Sequence, residues 1–189
     1  SRYECELQFS GAVGPSGVTP MITPYTHPTV TLVDQLEEWI SDQEGEHCEF
    51  KEAKNRYHFE DLVKYCCALA NEGGGKVILG VTDQRPRVVV GTSAFQQPES
   101  QRRSLMERIP LRIEVLEIHH PNGRVLVFDV PSRPIGTAIK YAGIYWSREA
   151  DSLVAMAEDK LRAIFAESGH DFSADVCPKA SLEHLDVTA

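Results

Sequence analysis

The chain has 189 residues, 42% of them hydrophobic, and a formal net charge of −9, which leaves room for one domain with its own core. No apolar run approaches the ~20 residues a bilayer-spanning helix needs, and the first residues lack the basic start and apolar stretch of a secretory signal. Five cysteines (Cys5, Cys48, Cys66, Cys67, Cys177) are odd in number and irregularly spaced. Reduced thiols in a cytoplasm are therefore expected rather than a disulfide framework, and the lack of CxxC or HxxxH pairs speaks against zinc.

The charge is unevenly spread. Residues 1–60 hold eleven acids and four bases, a net −7, whereas the rest holds seventeen acids and fifteen bases, a net −2. Between Arg85 and Arg112 six arginines accompany two glutamates, Glu99 and Glu107. Such a stretch can hold phosphate locally while the rest of the chain repels it; a solvated helix and loop face accounts for the same charges equally well.

Residues 1–30 carry Gly, Pro, Ser and Thr without a helical period and read as a flexible arm or leader. Leu32, Leu36, Trp39 and Ile40 then recur at helical spacing. An acidic turn, Asp42 to Glu46, precedes a short segment from His47 to Ala53. Phe59 to Asn71 reads as a second helix, stopped by the glycines that follow. Val77 to Val81 is apolar, β-branched and short, which predicts a buried strand, with Arg87 to Val90 as its hairpin partner. Pro98 to Ile109 reads as an arginine-rich helix. Leu111 to His119 and Arg124 to Val130 flank Pro121-Asn122-Gly123, a strong hairpin turn. Ala138 to Ser147 reads as one strand and Glu158 to Glu167 as a last helix, with Leu161, Ile164 and Phe165 on one face. The pattern predicts an α+β fold, a mixed or antiparallel sheet flanked by helices. The domain is expected over residues 31–169, and residues 170–189 read as a linker toward a further C-terminal domain.

Four motifs follow one another: Glu49-Phe50-Lys51; Ala68-Leu69-Ala70-Asn71-Glu72-Gly73-Gly74-Gly75; Val77 to Asp83, closing at Val90-Gly91; and Val130-Pro131-Ser132 with Tyr145-Trp146-Ser147-Arg148. In this order they resemble the Alba-like domain of the Schlafen superfamily, also called a divergent AAA domain, over roughly residues 44–165. Two positions depart from that pattern: Glu72 stands where the family usually has Thr, and Ala150 where it has Gly. The resemblance implies nucleic-acid handling, with DNA or RNA as partner, by a module of bacterial transcriptional regulators or helicase-related proteins. By resemblance to animal Schlafens it also implies an alternative, a metal-dependent endoribonuclease. Glu44, Glu49 and Asp83 would then hold Mg²⁺ or Mn²⁺, with the first two acids five apart, and Glu46 could replace Glu44. A protein-interaction or homo-oligomerisation domain is the third reading.

For phosphate contact the candidates are Lys51, Arg102, Arg103, Lys140 and Arg148, with Tyr145 or Trp146 able to stack on a base. Glu49 and Lys51 sit two apart, so on a strand they share a face and a simple ion pair is the structural alternative. The three glycines read as a helix-to-strand turn. The Walker A pattern fails, because Gly75-Lys76 runs into Val77 rather than Ser or Thr, so ATP is not expected as a cofactor. His119-His120 reads as a hairpin end, and Cys66 and Cys67 as buried thiols.

Overall fold

The computed structural model describes residues 31–41, 47–149 and 152–167. The arm expected over residues 1–30 and the linker expected over 170–189 fall outside them. Helix α1 (Leu32–Ser41) begins at a capping box: Thr31 Oγ1 accepts the Asp34 N–H at 3.2 Å, and the Asp34 carboxylate accepts the Thr31 N–H at 2.8 Å. Those hydrogen bonds from Thr31 hold the Asp34 carboxyl below its ordinary pKa.

Strand β1 (Cys48–Lys51), helix α2 (Phe59–Asn71) and strand β2 (Gly75–Leu79) follow, then helix α3 (Pro98–Arg108) and strands β3 (Glu114–His120) and β4 (Gly123–Val130). The four strands form one mixed sheet in the order β1-β2-β4-β3, with β1 parallel to β2 and the other pairs antiparallel. β5 (Lys140–Tyr141), β6 (Ile144–Glu149) and β7 (Ser152–Ala155) form a second, antiparallel sheet, and α4 (Glu158–Ala166) closes the described chain. The expected α+β architecture is the one observed.

Both faces of the first sheet are covered, which is why its central strands read as continuous apolar runs. Val77, Leu79, Leu126 and Phe128 join α2 and α3 in one core; Ile78, Val81, Val125 and Val127 join Leu36 of α1 in the other. Helix α2 is buried along nearly its whole length because the second sheet packs on it, chiefly through β6. At its C-terminus the buried Asn71 side chain accepts the Ile139 N–H at 2.7 Å and donates to the carbonyls of Ile139 and Trp146 at 2.9 Å each. One amide thereby ties α2 to the chain entering β5 and to β6.

The three glycines form the expected helix-to-strand turn. A Cβ on Gly74 would lie 2.9 Å from both Val130 O and Ser132 N, so the turn packs directly against the backbone after β4. The β3–β4 hairpin also stands where Pro121-Asn122-Gly123 predicts it, with His120 opposite Gly123.

Three expectations are corrected. Arg87 to Val90 is not a hairpin strand on β2: only an isolated bridge joins Val81 to Val89, because β2 already bonds β1 on one side and β4 on the other. The single strand expected from Ala138 to Ser147 is two, β5 and β6, divided by a turn with Ala142 at φ 51° and Gly143 at φ 80°. Two successive positive φ values suit Asn-Gly far better than Ala-Gly, so the break carried no recognisable turn signature. Strand β7 was not expected at all, being four residues long with one neighbour, β6.

Candidate functional site

β1 lies beside β2 with Glu49 opposite Val77 and Lys51 opposite Leu79, so Glu49 and Lys51 face α2 while Phe50 joins the core under α1. Lys51 Nζ is 2.9 Å from Glu49 Oε1, 3.5 Å from Asp83 Oδ2 and 5.1 Å from the centre of the Tyr65 ring on α2. Burial alone would lower the pKa of this ammonium. The hydrogen bond and charge of Glu49, with Tyr65 and Asp83 behind them, outweigh burial and hold it above its ordinary value. Burial and the Glu49 charge in turn push the Tyr65 phenol up.

Arg148 on β6 completes the network. Glu72, at the C-terminal cap of α2, accepts the Arg148 backbone N–H at 2.6 Å, its Nε–H at 2.8 Å and the Ser147 hydroxyl at 3.0 Å. This aims Nη1 of Arg148 at Glu49 Oε2, 3.4 Å away. Glu72, the departure from the family pattern, therefore positions Arg148, a role its place after Asn71 did not disclose.

Beyond the end of β1, residues 51–57 and 82–86 border an open cleft of about 730 Å³. Lys51, Arg56 and Arg85 reach it, together with Tyr57, whose phenol is pushed up by burial, and Asp83. Arg56 is exposed and forms no hydrogen bond or ion pair among the described residues. A narrower recess of about 200 Å³ opens beside it, sharing Lys51, Asp83 and Gln84 and reaching Arg87. Arg56, Tyr57, Arg85 and Arg87 were not singled out from the sequence. The arginine count between Arg85 and Arg112 was the available signal, and it did not say which of the six would meet β1.

The sequence candidates separate into groups. Lys51, Glu49, Asp83 and Arg148 come together. Arg102 and Arg103 do not join them: they lie on α3, which packs on β3 at the sheet edge opposite β1, and Arg102 pairs within its helix with Glu99 at 2.9 Å. Lys140 is exposed on β5. Glu44 and Glu46 lie outside the described residues. Glu49 and Asp83 taken together do not fit a divalent ion, which needs carboxylate oxygens converging on one point. One oxygen of each converges on Lys51, the second of Glu49 faces Arg148, and the second of Asp83 accepts the Glu52 N–H at 3.0 Å. Among the described residues no group of three or more His, Cys, Asp or Glu could hold a metal ion. His120 sits at the hairpin end with Nε2 2.9 Å from Glu37 of α1. Burial pushes the Cys66 and Cys67 thiols up, Cys67 to about 12.

The motifs that form this network and its glycine turn fall inside residues 44–157, the stretch matched by the family model described as Schlafen, AlbA_2. The chain belongs to the Schlafen AlbA_2 family. The AlbA_2 match runs from residue 44, ahead of β1, to the residue before α4 and so includes both sheets. Among solved structures, the DIP2311 protein from Corynebacterium diphtheriae is similar at 21% identity and a TM-score of 0.57, over 74% of this chain and 33% of that one. The chain thus spans about a third of that protein, and the likeness is one of fold. The N-terminal domain of a RecG-related ATP-dependent DNA helicase-like protein from Nitrosomonas europaea is similar at 22% identity and a TM-score of 0.42, over 59% of this chain and 82% of that one. No curated protein matches the chain. No helix among the described residues is long and apolar enough to cross a membrane.

Proposed function

We propose that this AlbA_2 domain binds the phosphate backbone of DNA or RNA in the cleft beyond β1, and that within a longer regulatory protein it holds a neighbouring domain on nucleic acid. The observation that carries this is the convergence of Arg56 and Arg85 with Tyr57 on one concave surface of a chain whose net charge is −9. A polyanion approaches such a chain where cations are grouped. Arginine's planar fork matches phosphate oxygens, and an aromatic ring offers a stacking surface to an unpaired base. The nucleic-acid handling implied by the Schlafen resemblance points the same way.

The test is titration of the full chain against a DNA duplex and a structured RNA across salt concentrations. Arg56→Ala combined with Arg85→Ala is expected to weaken binding and to lower the salt slope by roughly 0.9 per lost phosphate contact. The pair Arg102→Ala with Arg103→Ala is expected to do far less. Unchanged binding across salt in the cleft variant would sink the assignment, and a loss confined to the second pair would move the interface to α3. Cleavage of the RNA that requires Mg²⁺ or Mn²⁺ would favour the endoribonuclease reading instead.

A further inference from the structure

Two rims border the cleft, and each is tied down from its own side. On the first, Thr92 Oγ1 donates to Ala53 O at 2.5 Å, and Ser93 donates to Lys54 O through its N–H at 2.8 Å and its hydroxyl at 2.9 Å. Ala53 takes a φ of 42° there, a left-handed conformation that a residue with a Cβ keeps only where its surroundings hold it. The second rim is a loop closed at its base. The Thr82 N–H donates to Val88 O at 3.0 Å, and the Val88 N–H donates to Thr82 Oγ1 at 2.8 Å. Between those residues Asp83, Gln84, Arg85 and Pro86 are all exposed. On its return the loop rests on Arg87, whose guanidinium carbon lies 4.2 Å from the centre of the Phe50 ring.

Asp83 crosses from the second rim to the first. Its Oδ1 accepts the Glu52 N–H at 3.0 Å, and its Oδ2 lies 3.5 Å from Lys51 Nζ. Of these two ties the hydrogen bond is the one that fixes position. Lys51 is already matched by Glu49 at the shorter distance of 2.9 Å, whereas Glu52 lies just past the end of β1 and its N–H finds its acceptor in Asp83. A bond from an N–H to a carboxylate is also roughly twice as strong as one between neutral groups. Arg85 follows Asp83 by two residues, and Arg56 follows Glu52 by four, so this bond sets how the two arginines stand across the cleft. A carboxylate bordering a phosphate site repels the ligand; its presence there is explained by geometry rather than by attraction.

We propose that Asp83 is a positioning residue for nucleic-acid binding: its bond to the Glu52 N–H latches the two rims together and holds Arg56 and Arg85 at the spacing at which both meet one phosphate backbone. This rests on the binding reading above. The two fail separately, because that reading depends on the arginines and the latch depends on a group that touches no phosphate.

The experiment repeats the salt titrations of the full chain with the DNA duplex and the structured RNA. It compares the wild type with Asp83→Ala, Asp83→Asn, Arg85→Ala and the double variant Asp83→Ala with Arg85→Ala, and melting curves check that each folds. In Asp83→Ala the affinity is expected to fall roughly tenfold and the salt slope by about 0.9, although no cation has been removed. Adding Arg85→Ala is then expected to change the affinity by less than about twofold, because the contact it removes is already lost. Asp83→Asn keeps an oxygen for the Glu52 N–H and is expected to restore the wild-type slope, a rescue that a general loss of stability does not give. Were Asp83 only a repulsive charge, both variants would bind more tightly with the slope unchanged or raised, and that result overturns the latch. So does an Arg85→Ala effect as large in the Asp83→Ala background as in the wild type, or an Asn variant as weak as the Ala one. A wild type without salt-dependent binding would overturn the binding reading and the latch with it.

Discussion

The network around Glu49 and the rim around Arg56 and Arg87 are neighbours with opposite habits. In the network, Lys51 and Arg148 are each matched to carboxylates from different elements, so their charges hold β1, α2 and β6 in register. On the rim, among the described residues, Arg56 is exposed without an ion pair and Arg87 lies on Phe50 without a hydrogen bond for its two buried nitrogens. A cation that is fully paired inside the fold has little left for a ligand. One that is held in place but unpaired keeps its interaction for whatever arrives, and candidate binding residues are better chosen by that criterion than by charge count.

The comparison is tested hardest at Glu49, which is 8% exposed. Glu49→Gln keeps the volume and removes the charge that faces Lys51 and Arg148, and is expected to destabilise the domain by about 3 kcal/mol, since breaking one side of a buried pair strands the other charge. Urea unfolding measures it; a loss under ~0.5 kcal/mol would mean the network does not hold the fold together. It follows that lost activity in this variant is not by itself a sign of catalysis.

Asn71→Ala probes the same seam without any charge. It leaves the Ile139 N–H and two carbonyls without their buried partner, and is expected to cost about 2 kcal/mol, read in the same unfolding curves. On the rim the expectation reverses. Arg56→Ala should leave stability within ~0.5 kcal/mol of the wild type while still flattening the salt dependence of nucleic-acid binding; destabilisation beyond that would place Arg56 with the structural arginines.

The smallest effect concerns pH. The Arg133 guanidinium, and after it the Gly136 N–H, hold the Glu167 carboxyl at about 2, against an ordinary value of 4.5. A carboxyl whose pKa falls on folding stabilises the folded state fully above its unfolded value, and that contribution fades as the pH drops from 4.5 through about 2. Acid-unfolding curves of wild type and Glu167→Gln should differ at neutral pH and converge as the pH approaches 2. Curves offset by a constant amount throughout would show that Glu167 acts by packing rather than by charge.

How much was legible follows the range of each interaction. The helices at Leu32, Phe59 and Glu158 were readable because their apolar period is local, and the β3–β4 hairpin because Pro121-Asn122-Gly123 carries its own turn chemistry. The break at Ala142-Gly143 lacked such chemistry. At the site, Glu49 and Lys51 were found as a pair because a strand brings residues two apart onto one face. The role of Glu72 depended on Arg148, 76 residues away, and no local pattern connects them.

The sequence by itself determined the helices, the buried central strands, the α+β class and the family motifs, since these rest on periodicity and on short-range backbone preferences. Only the tertiary structure decided which charges are matched and which are available. Lys51, Arg87 and Arg148 are the same to a charge count, and what separates them among the described residues is the partner each meets: two carboxylates for Lys51, Glu49 and Glu72 for Arg148, and the face of Phe50 for Arg87. Charge is a property of the residue, but pairing and burial are properties of the packed fold, because the energy of a charge is set by what surrounds it.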